Sequence, residues 1–170
     1  YTGASDPALT AAVQSVFVSA RTALSEAAQV LGVGVASDIE KYVYPSFTVN
    51  VKGLDADAAL EEYAAAFSYQ IDEMASSAVE SLGQFKKTGE GLFETVTRLA
   101  IEQAIFNDAL DFMGQSLKDV SSIMQIDVAQ SIIELTGGLE NYSDLVGDFF
   151  DEFLSEEDQF TYKTKSLTEA

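Results

Sequence analysis

Apolar residues recur every three or four positions along most of the chain, which is the spacing of one face of an α-helix. The first such run begins at Asp6-Pro7, a pair typical of a helix start, and ends at Gly32, a residue typical of a helix end. Its predicted core face is Leu9, Val13, Val16, Phe17, Ala20, Leu24, Ala27 and Leu31. The pattern therefore predicts a long amphipathic helix.

Two further runs of the same kind predict two more long helices. One has Asp55 or Asp57 as its N-terminal cap and closes at Gly83, and the other begins near Leu92 and closes at Gly114. Their predicted core positions are Leu60, Tyr63, Ala64, Phe67, Ile71, Met74, Ala75, Ala78 and Leu82 in the first, and Leu92, Val96, Leu99, Ala100, Gln103, Phe106, Leu110 and Met113 in the second.

Shorter elements are expected between and after these helices. A capping box at Ser37–Glu40 predicts a short helix that stops before Pro45. Residues 47–51 alternate between apolar and polar side chains, and we interpret them as an extended connector. Beyond Gly114, short helices are expected around Leu117–Met124 and over Val128–Leu135.

A last helix is predicted over Ser143–Leu154, after the pair Gly137-Gly138. We therefore expect an all-α fold, with residues 1–154 forming a single compact, bundle-like domain of five to seven helices. Residues 155–170 are expected to form a frayed, acidic tail.

Composition narrows the chemistry that such a fold can perform. The 170 residues include 28 Asp and Glu against nine Lys and Arg, a formal charge of −19, and they contain no Cys, His or Trp. Disulfides, zinc fingers, Cys–His pairs and Ser-His-Asp triads are therefore excluded. Nucleic acid and anionic membranes are disfavoured as partners because both require a basic surface.

Carboxylates are the only abundant reactive groups. Asp55-Ala56-Asp57 begins like a calcium loop, but Leu60 stands where the turn glycine belongs and Ala66 where the closing Glu belongs. We therefore interpret this segment as a helix cap, and we predict no catalytic, metal or cofactor-binding residue.

The candidate interaction surface is the last predicted helix, which is aromatic on one side and acidic on the other. Its members are Leu145, Phe149, Phe150, Phe153, Asp148, Asp151 and Glu152. The rings either dock this helix onto the core or bind a partner. Lys and Arg, which a membrane-surface helix requires on its polar face, are missing there.

Three segments resemble the helical repeat domains of spider silk proteins, the spidroins, in particular the aciniform and tubuliform kinds. They are Leu24–Val33, which ends in a Leu-Gly-Val turn, Glu62–Ser68 with its Tyr-Ala-x-Ala-Phe-Ser string, and Val120–Val128. The resemblance implies a secreted, extracellular structural domain that is one bead of a tandem chain drawn into fibre. It implies no catalytic residues.

The leading hypothesis is thus a non-enzymatic module that self-associates with like domains and whose acidity holds copies apart until salt or low pH weakens the repulsion. One alternative is a secreted carrier of an apolar small ligand, with Phe67, Phe106, Met74 and Met113 as wall residues. Another is an adaptor that docks through its acidic-aromatic helix. A chain that begins at Tyr1 without an apolar signal segment is expected to be a processed product or an excised domain.

Overall fold

The computed structural model describes residues 7–34, 49–50, 52–153, 156 and 160. Within them lie five α-helices, one 3-10 helix and no strand, which confirms the all-α class. The elements are α1 (Pro7–Leu31), α2 (Ala56–Val79), the 3-10 helix (Glu80–Phe85), α3 (Leu92–Phe112), α4 (Ser122–Leu135) and α5 (Leu139–Phe153). The chain forms two compact units, an N-terminal unit within Tyr1–Ala100 and a C-terminal unit within Ile101–Ala170.

Helix α1 ends where the sequence predicts. Gly32 has φ 66°, a left-handed conformation that glycine adopts without strain, and Val33 donates its N–H to the Ala28 carbonyl at 3.1 Å. Phe17 and Leu24 are buried as expected. Val16 is 49% exposed and its predicted core role is wrong, because it lies one residue to the side of the buried stripe.

Helix α2 begins at the predicted cap but ends earlier than predicted. Asp55 Oδ1 accepts a hydrogen bond from the Ala58 N–H at 2.9 Å. The α-helix ends at Val79 rather than at Gly83, and the chain continues as the 3-10 helix, in which Leu82 is fully buried. Leu60 is 68% exposed, so its predicted core role is wrong.

The N-terminal unit is built around an aromatic contact and a set of small and branched side chains. Phe17 of α1 and Phe67 of α2 meet edge to face, with ring centroids 4.8 Å apart. The buried residues of α2, the 3-10 helix and the first part of α3 are Met74, Ala75, Ala78, Val79, Leu82, Leu92, Thr95, Val96, Leu99 and Ala100.

The C-terminal unit differs from the prediction in three respects: one helix replaces two predicted short ones, the last helix, α5, begins at Leu139 rather than at Ser143, and Met113, a predicted core position, is 43% exposed. Residues 117–121 are not helical, and a single helix, α4, lies in place of the two short ones. Ser121 Oγ accepts a hydrogen bond from the Met124 N–H at 3.4 Å and caps the start of α4. The buried core of this unit is Phe106, Ala109, Ala129, Ile133 and Tyr142.

Several predictions lie outside the described residues. They are the Asp6 cap, the short helix between Ser37 and Pro45, most of the connector at 47–51, and the tail apart from Glu156 and Phe160. The side chains of Leu9, Val13 and Phe153 are also outside the described set.

Candidate functional site

The C-terminal unit contains an apolar hollow of about 260 Å³. Helices α3, α4 and α5 and the turn after α4 all contribute to it. Its lining residues are Phe106, Leu110, Met113, Ile132, Thr136, Tyr142, Leu145, Val146 and Phe149. Almost all of the lining is hydrocarbon or aromatic, so the hollow favours apolar occupants.

A tight glycine turn places α5 against α4 and thereby creates the hollow. Gly137 and Gly138 have φ 93° and 112°, which side-chain-bearing residues rarely adopt, and they lie in the short connection between Leu135, the end of α4, and Leu139, the start of α5. Tyr142 on the first turn of α5 then packs against Phe106 of α3, with ring centroids 6.2 Å apart. Tyr142 is buried, and this burial raises the pKa of its phenol.

The rim of the hollow is apolar and accessible. Leu145 is 55% exposed, Met113 43%, Phe149 38% and Ile132 36%. Single exposed apolar side chains are common on protein surfaces, but here four of them border the same hollow. The rim therefore has the composition of a docking surface.

Carboxylates run along one side of this rim. Asp144, Asp148 and Glu152 are spaced by four residues on α5, and all three are exposed. Residues spaced by four share one side of a helix, and Asp148 and Glu152 follow Leu145 by three and seven residues, so the stripe lies beside Leu145. We call Asp144, Asp148 and Glu152 the acidic stripe.

The structure distributes the predicted interaction residues over different positions. Leu145 and Phe149 line the hollow, whereas Phe150 is half-buried and is not part of the lining. Asp148, Asp151 and Glu152 are exposed as predicted. Docking onto the core is carried by Tyr142 and Val146 instead, so α5 both packs and presents a surface.

The sequence predicts only some of the residues that line the hollow. Of the four residues predicted for an apolar wall, Phe106 and Met113 line the hollow, whereas Met74 is buried and Phe67 contacts Phe17 in the N-terminal unit. The lining also includes Leu110, Ile132 and Thr136, which the sequence pattern does not mark as wall residues. The Gly137-Gly138 pair was the available signal, because a tight turn brings Ile132 close to α5.

The N-terminal unit holds a polar cluster of a different kind. Arg98 donates to both carboxylate oxygens of Glu90, from Nε at 2.6 Å and from Nη2 at 3.0 Å, and Nη2 also donates to the Phe85 carbonyl at 2.8 Å. Their side chains are only 17% and 12% exposed. The Arg98 hydrogen bonds, supported by the Lys87 N–H and the Thr95 hydroxyl, lower the pKa of Glu90 to about 2.

A second carboxylate in the N-terminal unit caps α3. Asp72 Oδ1 accepts a hydrogen bond from the Phe93 N–H at 3.0 Å. A Cβ atom at Gly91 would lie 2.7 Å from Asp72 Cγ, so any larger residue at this position would displace the Asp72 side chain. Asp72 and the Glu90 cluster (Glu90, Thr95 and Arg98) together fix the start of α3.

Buried polar side chains also occur in the C-terminal unit. Glu102 is 4% exposed and accepts a hydrogen bond from Gln130 Nε2 of α4. Gln103 donates to Asn107 Oδ1 at 2.9 Å, and its own Oε1 is buried with no hydrogen-bond partner among the described residues. None of these side chains lines the hollow.

Other features of the described chain offer less for function. A larger open depression of about 490 Å³ has only polar side chains of α1 in its described lining. No three acidic side chains in the described ranges converge as metal ligands would. No described helix combines the length and apolarity needed to cross a membrane.

No protein-family model matches the chain, and no curated protein or solved structure is significantly similar to it.

Proposed function

We propose that this chain is a non-enzymatic structural and self-assembly module, the acidic helical domain of a secreted, extracellular fibre-forming protein of the silk kind. In this proposal residues 1–154 form one bundle-like domain with an acidic tail at 155–170, and the partners are like domains. Nucleic acid, membranes and cofactors have no part in it.

One observation carries the proposal: the accessible apolar rim of the hollow lies beside an acidic stripe. Exposed Leu145 and Phe149 favour association because covering them removes apolar surface from water. Like charge opposes the same contact, since two copies would bring their stripes together. Association then depends on how strongly the carboxylates are charged and screened.

Light scattering of concentrated protein tests the proposal. We expect scattering to rise as the pH is lowered from 7 toward the sequence pI of about 4.1, and to rise at pH 7 when salt is added. The double variant Leu145→Asp/Phe149→Asp should scatter less than the matched control Leu60→Asp/Tyr69→Asp, which changes two exposed residues of α2. Flat scattering in both titrations would refute the self-assembly function.

A carrier of an apolar ligand is a second proposal, favoured by Phe106 and Met113 in the lining of the hollow. A volume of about 260 Å³ restricts such a ligand to a small molecule. Organic extraction of the purified protein, followed by titration with a small, uncharged, fluorescent apolar probe, tests it. An extract without lipid and a titration without saturation would rule it out.

A further inference from the structure

We propose that the apolar hollow and the acidic stripe of α5 together form a docking site for a cationic amphipathic α-helix of a partner protein. This inference goes beyond self-assembly, because it names a different partner that would bind at neutral pH, where copies of this chain repel one another. Three properties of the surface lead to it.

The first property is the shape of the surface. The hollow has walls from three helices and an accessible rim formed by Met113, Ile132, Leu145 and Phe149. Its volume of about 260 Å³ lies below the roughly 300–1,000 Å³ that is usual for a small-molecule pocket. A cavity of this size suits one or two large side chains projecting from a partner, as in helix-in-groove recognition.

The second property is charge. Residues 101–153 contain 11 carboxylates and a single basic residue, Lys118. The acidic stripe places three of these carboxylates beside Leu145, within the reach of Lys or Arg side chains on a helix that occupies the hollow.

The third property is selectivity: the negative charge around the hollow disfavours some apolar partners and favours others. A second copy would add its own carboxylates to the contact, and a fatty acid or an anionic bilayer would also be repelled. The same carboxylates attract a helix that carries Lys and Arg along one edge. The geometry therefore favours a cationic helix over the other apolar occupants.

The chemistry of the site defines the partner's sequence pattern. Leu, Phe or Trp at positions i and i+4 would enter the hollow and cover Leu145 and Phe149. Lys or Arg on the neighbouring side of the partner helix would face Asp144, Asp148 and Glu152. Both features are needed, since surface ion pairs alone contribute little.

A tryptophan-containing peptide gives a clean measurement, because this chain has no Trp and the indole emission comes from the peptide alone. We would titrate the full chain at pH 7 into three peptides: a Leu/Lys amphipathic helix with one Trp, a scrambled peptide of the same composition, and an amphipathic peptide with Glu in place of Lys. The proposal expects saturable binding of the first peptide, with affinity at least tenfold above the other two.

Two pairs of variants locate the binding. Leu145→Asp should weaken it roughly tenfold or more, whereas Leu60→Asp, at an exposed leucine of α2, should leave it unchanged. The triple variant Asp144→Asn/Asp148→Asn/Glu152→Gln should weaken binding and flatten its salt dependence. The control Glu61→Gln/Glu62→Gln/Glu73→Gln removes the same charge from exposed positions of α2 and should bind as the parent does.

The triple variant keeps the test decisive if Leu145→Asp fails to fold, because it changes exposed polar side chains only. Equal binding of the amphipathic and scrambled peptides would overturn the proposal, as would equal losses in the two triple variants. So would saturation by the Glu peptide, or a stable dimer at pH 7 that excludes the cationic peptide. Light scattering without peptide then reports separately on self-assembly.

Discussion

Two carboxylates of the N-terminal unit, Asp72 and Glu90, and the acidic stripe of the C-terminal unit have opposite roles. In the N-terminal unit Glu90 and Asp72 accept hydrogen bonds from Arg98 and from backbone N–H groups, so their charge is used inside the molecule. In the C-terminal unit the acidic stripe points to solvent beside exposed Leu145. A carboxylate that is surrounded by hydrogen-bond donors therefore stabilises the fold. A carboxylate on an exposed helix face instead contributes to the charge of the surface.

The largest effect is expected from removing the central donor of the Glu90 cluster. Arg98→Met leaves the Glu90 carboxylate in a position that is only 12% exposed without its main partner, and we expect a loss of about 3 kcal/mol in stability. Chemical denaturation followed by circular dichroism, with hydrogen exchange to resolve the two units, measures it. The control Lys118→Met changes an exposed residue of the C-terminal unit and should cost less than about 0.5 kcal/mol. Equal losses in the two variants would remove the contrast between the units.

Acid should loosen the N-terminal unit through the same carboxylate. Because the pKa of Glu90 is lowered from 4.5 to about 2 by folding, its contribution is complete above about pH 4.5 and is lost as the pH falls toward 2. Wild-type protein should lose up to about 3 kcal/mol over this interval from Glu90, and Glu90→Gln should lose correspondingly less. Unfolding curves at pH 5 and pH 2.5 test this, and identical pH dependence of the two proteins would contradict it.

Replacing one glycine by alanine in each unit should change the stability of the protein in opposite directions. Gly91→Ala displaces Asp72 from the start of α3 and should cost about 1 kcal/mol, the usual value of a helix cap. Gly147→Ala lies inside α5 with no atom within 4 Å of the new Cβ, and it should stabilise by about 0.5–1 kcal/mol. Thermal unfolding of both variants gives the two signs, and a shared sign would show that one of the two environments is misassigned.

The smallest effect concerns Asp108 of α3. Burial, and then the charge of Asp111, raise the pKa of Asp108, so its charged form is disfavoured by folding. Any cost therefore grows as the pH rises through the raised pKa, and Asp108→Asn should stabilise the protein at pH 7 by less than about 0.5 kcal/mol. The gain should vanish at pH 3, where the acid is protonated. A loss of stability at pH 7 would contradict this sign.

Much of the fold could be predicted because local signals set the helix ends. Gly32 and Asp55 act as the sequence suggests, through a left-handed backbone and a side-chain cap. The pattern also predicts core positions that the structure exposes: Val16 lies to the side of the buried stripe, and Leu60 shows that periodicity gives the direction of a stripe but not how far along it the neighbouring helix reaches.

The candidate site was less predictable than the helices. Leu145 and Phe149 follow from the pattern of α5 alone, whereas Ile132 and Leu110 belong to the hollow only because three helices pack around it. Helix α4 shows a related limit: it begins at the Ser121 cap and runs without a break to Leu135, where the pattern predicts two short helices. Packing between segments distant in sequence is not encoded in the spacing of one segment.

The charged side chains near the C-terminal end of α5 also interact with the dipole of that helix. Its last turns carry Asp148, Asp151 and Glu152, and no basic residue lies in its last turn. The C-terminal end of a helix carries a partial negative charge, so these carboxylates face a field of their own sign. A cation near this end of α5 would offset both the carboxylate charges and the partial negative charge of the helix end. Binding of a cationic partner at the docking site should therefore slow amide exchange in the final turns of α5.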